Sequence, residues 1–202
     1  VTATDVLTSK REITRADILP MEEYGAKRKE LRKALVEKKR HRRIEVGPVC
    51  TFYFENYESM WAQVHEMLFI EKGGEAQIAD ELSAYNPLIP QGRELVATVM
   101  FEIDEEARRR DFLSRLGGVE ETAFIEIDGN TAMGVPEADV DRTTADGKAS
   151  SVQFIHFPLT EEQAAKVKTP GTRIVVGFSH PNYSHMVVLP EAMREALASD
   201  LA

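Results

Sequence analysis

The sequence predicts an α+β fold: a largely antiparallel sheet built from hairpins, with flanking helices and a basic helix ahead of them. Two observations carry this. Short runs of period-two alternation separated by turn residues read as strands, and two pairs of them are close enough to form hairpins. Helical patterns interrupt these strands irregularly, which excludes the regular alternation of a parallel βαβ array. A third observation sets the scale: 202 residues, 43% hydrophobic and 29% charged, suffice for a globular domain that needs neither disulfide nor metal to fold. Residues 1–202 are therefore expected to form a single domain, with an N-terminal helical arm over 14–43 and an α+β body over 44–202.

Taken in order, residues 1–12 read as a tail. Thr14 caps a short turn through Leu19, and Pro20 suits the first turn of a helix reaching about His41. From Ile44 the period changes to two: Val49, Thr51 and Tyr53 alternate with Cys50, Phe52 and Phe54, giving a strand with bulky groups on both faces. Asn56 is a good N-cap. Tyr57, Met60, Trp61, Val64, Met67 and Leu68 follow at helical spacing, the core stripe of a helix stopped at Gly73-Gly74. A second helix over residues 75–85 ends before Asn86-Pro87. Residues 95–103 read as a strand, and Asp104 caps a charged helix over 105–116 that Gly117-Gly118 closes. Residues 122–127 and 131–135 face each other across Asp128-Gly129-Asn130, a hairpin signal. Residues 136–150 form a long polar connection, a kind more often functional than short loops are. Residues 152–157 are a strand, and Thr160 with Gln163 makes a capping box for the next helix. Residues 173–179 and 183–189 make a second hairpin with Pro181-Asn182 at its tip, placing His180 opposite Tyr183 and His185 opposite Phe178. Pro190 opens a last helix to about Ala198.

The net charge of -9 conceals a segregation: residues 27–43 carry ten Lys/Arg against two Glu, or +8, and the remainder carries -17. Such a basic arm on an acidic body can be a solvated strap over its own acidic surface, a dock for an acidic protein, or a nucleic-acid or membrane contact. Nucleic acid has the least support, because no aromatic residue interleaves the cations and the apolar stripe of Leu31, Ala34 and Leu35 is narrow. No apolar run approaches the roughly 18 residues needed to cross a bilayer, so no membrane role is expected. The first twenty residues lack the succession of a secretory signal, and a lone cysteine fits the reducing cytoplasm.

The common phosphate-cradling loops are absent, as are HExxH and a Glu-x-x-His pair. One cysteine cannot hold a zinc-thiolate or iron-sulfur centre unaided, and Cys50 reads as buried and inert. Gly177-Phe178-Ser179-His180-Pro181 matches only the first half of a nucleophile elbow. Two constellations remain. Residues 51–69 hold six of the fifteen aromatic residues and the one tryptophan, making Tyr53, Glu55, Trp61 and His65 a candidate pocket, with core packing as the competing reading. His156, His180 and His185 lie on late strands; if they converged with Glu55 or Glu66, imidazole and carboxylate would suit Zn or Fe(II). Otherwise no cofactor is evident. The loop residues Asp139, Asp141, Arg142, Thr143, Thr144 and Asp146 lack the spacing of an EF-hand and read as a solvated loop, a lid or a partner contact. Lys38, Arg40 and Arg43 are the cations expected to meet a partner.

The blocks EITRADILPMEEY, GPVCTFYFENYESMWAQVHEMLFIEKGGEAQIADELSAYNPLIPQGREL, VPEADVDRTTADGKASSVQFIHF and SHPNYSHMVVLP together resemble an uncharacterised bacterial family of unknown function, over about residues 12–200. Members of that family tend to be encoded beside a rubrerythrin-like protein and an iron-sulfur protein of the heterodisulfide-reductase type. The resemblance thus implies a cytoplasmic redox or peroxide-stress setting and supplies no catalytic residue. Two functions follow: a non-catalytic accessory or assembly protein for a redox metalloprotein system, or a small-molecule or metal-binding enzyme with a His/Tyr/Glu site. Self-association is compatible with either.

Overall fold

The structure, a computed structural model, describes residues 10–137, 143–144 and 147–202. Among the described residues, period-two segments become nine strands in two sheets, every pairing antiparallel. The first sheet runs in the order β1 (Arg43–Glu45), β2 (Cys50–Phe54), β3 (Glu94–Phe101), β7 (Val152–Pro158), β6 (Val135–Pro136). The second runs β5 (Asn130–Met133), β4 (Ala123–Ile127), β8 (Ile174–Phe178), β9 (Met186–Val188). Pleating sends Phe52, Phe54, Leu95, Ala97, Val99, Ile155 and Phe157 of the first sheet against Ile125, Ile127, Val176 and Phe178 of the second, forming one buried core. Helices α4 (Glu106–Leu113), α5 (Glu161–Lys168) and α6 (Glu191–Ala198) close that core with Leu113, Val167 and Leu197.

The opposite face of the first sheet makes a second, smaller core. There Val96 meets Tyr57, Met60, Val64 and Leu68 of α2 (Tyr57–Glu71) and Ile78 of α3 (Glu75–Tyr85), with Ile13 and Ile18 from the N-terminal segment. Outside these lies α1 (Met21–Lys39), of whose nineteen residues only Tyr24 is buried.

Local chemistry accounts for most boundaries. Asn56 accepts a hydrogen bond from the Ser59 amide while Ser59 Oγ accepts one from the Asn56 amide, a reciprocal cap at the start of α2. Thr160 and Gln163 cap α5 in the same way. Asp128 and Gly129 both take positive φ, 46° and 84°, which the two-residue turn pairing Ile127 with Asn130 requires. Two expectations are corrected. The cap of α4 is Glu105, whose carboxylate accepts from the amides of Ala107 and Arg108, instead of Asp104. The strand expected over residues 131–135 is broken at Gly134, where the chain steps from the second sheet to the first. A Cβ there would lie 2.6 Å from Ile155 Cγ2 and 3.1 Å from the Ala123 carbonyl oxygen, so close approach of the sheets demands glycine.

Candidate functional site

The basic run forms a strap, α1, laid across α2 and fastened at both ends. At its start, the Tyr24 hydroxyl donates to Glu66 Oε1 at 2.7 Å, and Arg28 grips both Glu66 oxygens at 2.9 and 2.7 Å. The Arg28 hydrogen bonds, with that of Tyr24, pull the Glu66 carboxyl down to about 2. Beyond its other end, Arg42 clasps Asp200 through two 2.8 Å hydrogen bonds and donates a third to the Ala196 carbonyl at 2.9 Å, with both charged side chains 7% exposed. Between these fastenings the contact is thin. Leu31 and Leu35 are half-buried, Ala34 and Val36 exposed. A groove of about 320 Å³ is left, walled by Leu31, Ala34, Leu35, Tyr57, Trp61 and Ala62, with Lys10, Asp17, Lys38 and Glu58 on its rim. A second recess of about 240 Å³ lies on the other side of Leu31 and Leu35.

The four residues of the expected aromatic pocket separate into two pairs. His65 is fully buried; its Nδ1–H donates to the Trp61 carbonyl at 2.7 Å and Nε2 accepts the Leu19 amide at 3.0 Å. Both nitrogens are thereby used. The ring packs 3.8 Å from that of Trp61 and 5.0 Å from Tyr24, and burial holds its pKa below the ordinary value. Trp61 donates its indole N–H to the Asp17 carbonyl at 2.9 Å and shows its remaining surface to the groove. Together, these two side chains fix the turn that leads into α1. Tyr53 and Glu55 sit instead on β2 and just after it. The Tyr53 hydroxyl donates to Glu102 at 3.2 Å; buried Glu55 accepts from Ser59 Oγ at 2.6 Å and Thr98 Oγ1 at 2.8 Å, tying α2 to β3.

Nor do the strand histidines come together. His156 on β7 bonds Glu94 through Nδ1 at 3.0 Å, with Glu137 3.9 Å from Nε2; the Glu94 hydrogen bond raises its pKa. His180 Nε2–H donates to the Gly117 carbonyl at 3.3 Å, and Nδ1 accepts the Asn182 amide at 3.2 Å. His185 lies edge-on to Tyr183, 4.6 Å between ring centres. Among the described residues, no group of three or more His, Cys, Asp or Glu is disposed to hold a metal ion, so the residues present do not fit the Zn or Fe(II) set. Asp139, Asp141, Arg142 and Asp146 lie outside the described residues; Thr143 of the same loop donates through its hydroxyl to Glu120 at 2.8 Å.

Of the three cations expected to meet a partner, Lys38 bridges to Glu58, Arg43 lies 3.6 Å from Glu45 and over the Tyr53 ring, and Arg40 approaches Glu37 only at 3.8 Å. Lys29, Arg32 and Lys33 make no ion pair among the described residues, nor does Lys39. Sequence reasoning missed these, along with the Tyr24–Arg28–Glu66 fastening and Asp200. Lys29, Arg32, Lys33 and Lys39 lie on the same helix as Lys38 and nothing local sets them apart from it, and Asp200 gives no local signal of its partner.

The fold and this site define a class: a two-sheet α+β protein with a basic helical strap over an aromatic groove. The chain belongs to the family described as "Protein of unknown function (DUF3501)", whose model matches residues 12–201. It is similar to the crystal structure of a novel protein of unknown function from Burkholderia pseudomallei K96243, with 33% identity and a TM-score of 0.87, the match covering 94% of this chain and 99% of that one. No curated protein matches the sequence. No helix among the described residues is long and apolar enough to cross a membrane.

Proposed function

We propose that this protein is a non-catalytic accessory protein that docks onto an acidic surface of a cytoplasmic redox metalloprotein through the outward face of α1. The observation that carries this is the row Lys29, Arg32, Lys33 and Arg40. These residues share one helical face with Val36, which is 67% exposed, on a chain that is otherwise strongly acidic. A solvated strap needs neither an exposed valine nor this row of cations, of which Lys29, Lys33 and Arg40 are exposed and Arg32 borders the recess beside Glu66. Cations ringing an apolar spot form a natural contact for a carboxylate-rich patch, steering encounter and fixing orientation. The redox setting is supported by the gene neighbourhood that the family resemblance implies. The alternative, a His/Tyr/Glu enzyme, has less behind it because His65, His156, His180 and His185 are dispersed and individually engaged.

The test is binding of a purified rubrerythrin-like protein and an iron-sulfur protein of the heterodisulfide-reductase type, the two kinds that the family resemblance implies. A Lys29→Glu, Lys33→Glu, Arg40→Glu variant should lose about tenfold or more in affinity and most of its salt dependence, with its thermal midpoint retained. Undiminished binding by that variant, or no binding of either protein to the unaltered chain at low salt, would sink the proposal.

A further inference from the structure

The underside of the strap has a different chemistry from its outward face. Helices that cover a core present an apolar stripe at least ~100° wide, yet past Tyr24, which packs on Trp61, His65 and Phe69, α1 turns only the half-buried Leu31 and Leu35 toward α2, beside the small side chain of Ala62. The gap that remains is the groove of about 320 Å³, at the lower end of the roughly 300–1,000 Å³ typical of small-ligand sites. Its floor is aromatic, from Tyr57 and Trp61. The single polar atom of the indole is already satisfied by Asp17, so the ring offers the groove an apolar surface. Among the described residues, the ionised groups that line the groove are Lys10, Asp17, Lys38 and Glu58. At one end Lys10 pairs with Asp17, and at the other Lys38 reaches from α1 to Glu58 on α2. Lys38 is half exposed and on a flexible stem, so its ammonium, with three donors, can take a ligand's anionic head while keeping the less exposed Glu58. The +8 carried by residues 27–43 selects for such an anion and against a cation.

We propose that this groove binds an anionic amphiphile: a ligand with an apolar body, seated on Trp61 between Leu31, Ala34 and Leu35, and one carboxylate-type head at Lys38. Occupation completes the packing that α1 lacks by itself. It needs no group on the outward face, so ligand binding and partner docking are separable.

Trp61 is the only tryptophan and its ring lines this groove, so its emission responds to occupation of the groove. Decanoate, decanol and decyltrimethylammonium, each kept below micelle formation, are titrated into the full chain. The expected result is a saturable change in emission with decanoate at one per chain, with decyltrimethylammonium weaker by about tenfold or more. Ala34→Phe, which puts a ring into the groove from an exposed helix position, should weaken decanoate by about tenfold or more while the urea midpoint is kept. Lys38→Gln should weaken decanoate and leave decanol unchanged. A non-saturable response, equal binding of the cationic amphiphile, or decanoate affinity unaltered by Ala34→Phe would overturn the proposal.

Discussion

Asp200→Ala tests how firmly the strap is fastened. The substitution removes both oxygens from Arg42, and with them two charge-assisted hydrogen bonds of 2.8 Å, in a place where both side chains are 7% exposed. Only the bonds to Ala196 and Ser199 remain to satisfy the guanidinium, which is left charged and buried. Two such bonds at about 1.5–3 kcal/mol each, or a buried pair broken on one side at about 3–5 kcal/mol, give the same answer. The loss should be about 3–5 kcal/mol, a large part of the stability of a domain this size. Urea unfolding followed by circular dichroism measures it, with the slope unchanged if the transition stays two-state. Glu37→Ala, which removes an exposed pair 3.8 Å apart, is the control and should cost less than about 0.5 kcal/mol. The double variant Arg42→Met, Asp200→Leu should recover most of the loss, because an apolar pair carries no desolvation cost. A loss below about 1 kcal/mol for Asp200→Ala would refute the reasoning: the pair would then be open to water and the end of the strap unfastened.

Titration separates two histidines. His65 has a folded pKa below 6.5, so its contribution to stability is whole above that value and falls as pH drops through the folded pKa; His156, raised above 6.5 by Glu94, contributes fully below that value and loses its share as pH rises. Imidazole NMR shifts should therefore place the His156 midpoint above that of His65, and coincident midpoints would contradict both assignments. Burial pushes the Cys50 thiol up, so an aromatic disulfide reagent should label it only as the chain unfolds; labelling of the native chain at the unfolded rate would refute the buried placement.

What was legible in the sequence was local. Asn56, Thr160 with Gln163, and Asp128-Gly129 each state a cap or a turn within four residues, and each occurs where expected. The tip Pro181-Asn182 even set the register, pairing His180 with Tyr183. What was illegible depended on residues far away. The break at Gly134 exists because Ile155 and Ala123 press on it. His65 is buried because Leu19, 46 positions earlier, brings its amide to the ring. Arg42 stands in a run of similar cations, and only the fold reveals that this one meets Asp200, 158 positions on. Periodicity assigned Trp61 to the core stripe, and the thinness of the α1 contact is what leaves its edge open.

The joint at Gly134 and the fastening of α1 differ in kind. Consecutive strands β5 and β6 lie in different sheets with a single residue between them, so neither sheet can depart without dragging the other, and the sandwich must open as one cooperative unit. By contrast, α1 is held against α2 by side chains only. It is the element that can lift in a partial opening well below the global free energy. Amide exchange should therefore be fast and mutually correlated along Met21–Lys39, and slow and uniform across Ala123–Ile127 and Val152–Pro158. The chain is in this sense a rigid clasp with one spring leaf, and that leaf carries the charge.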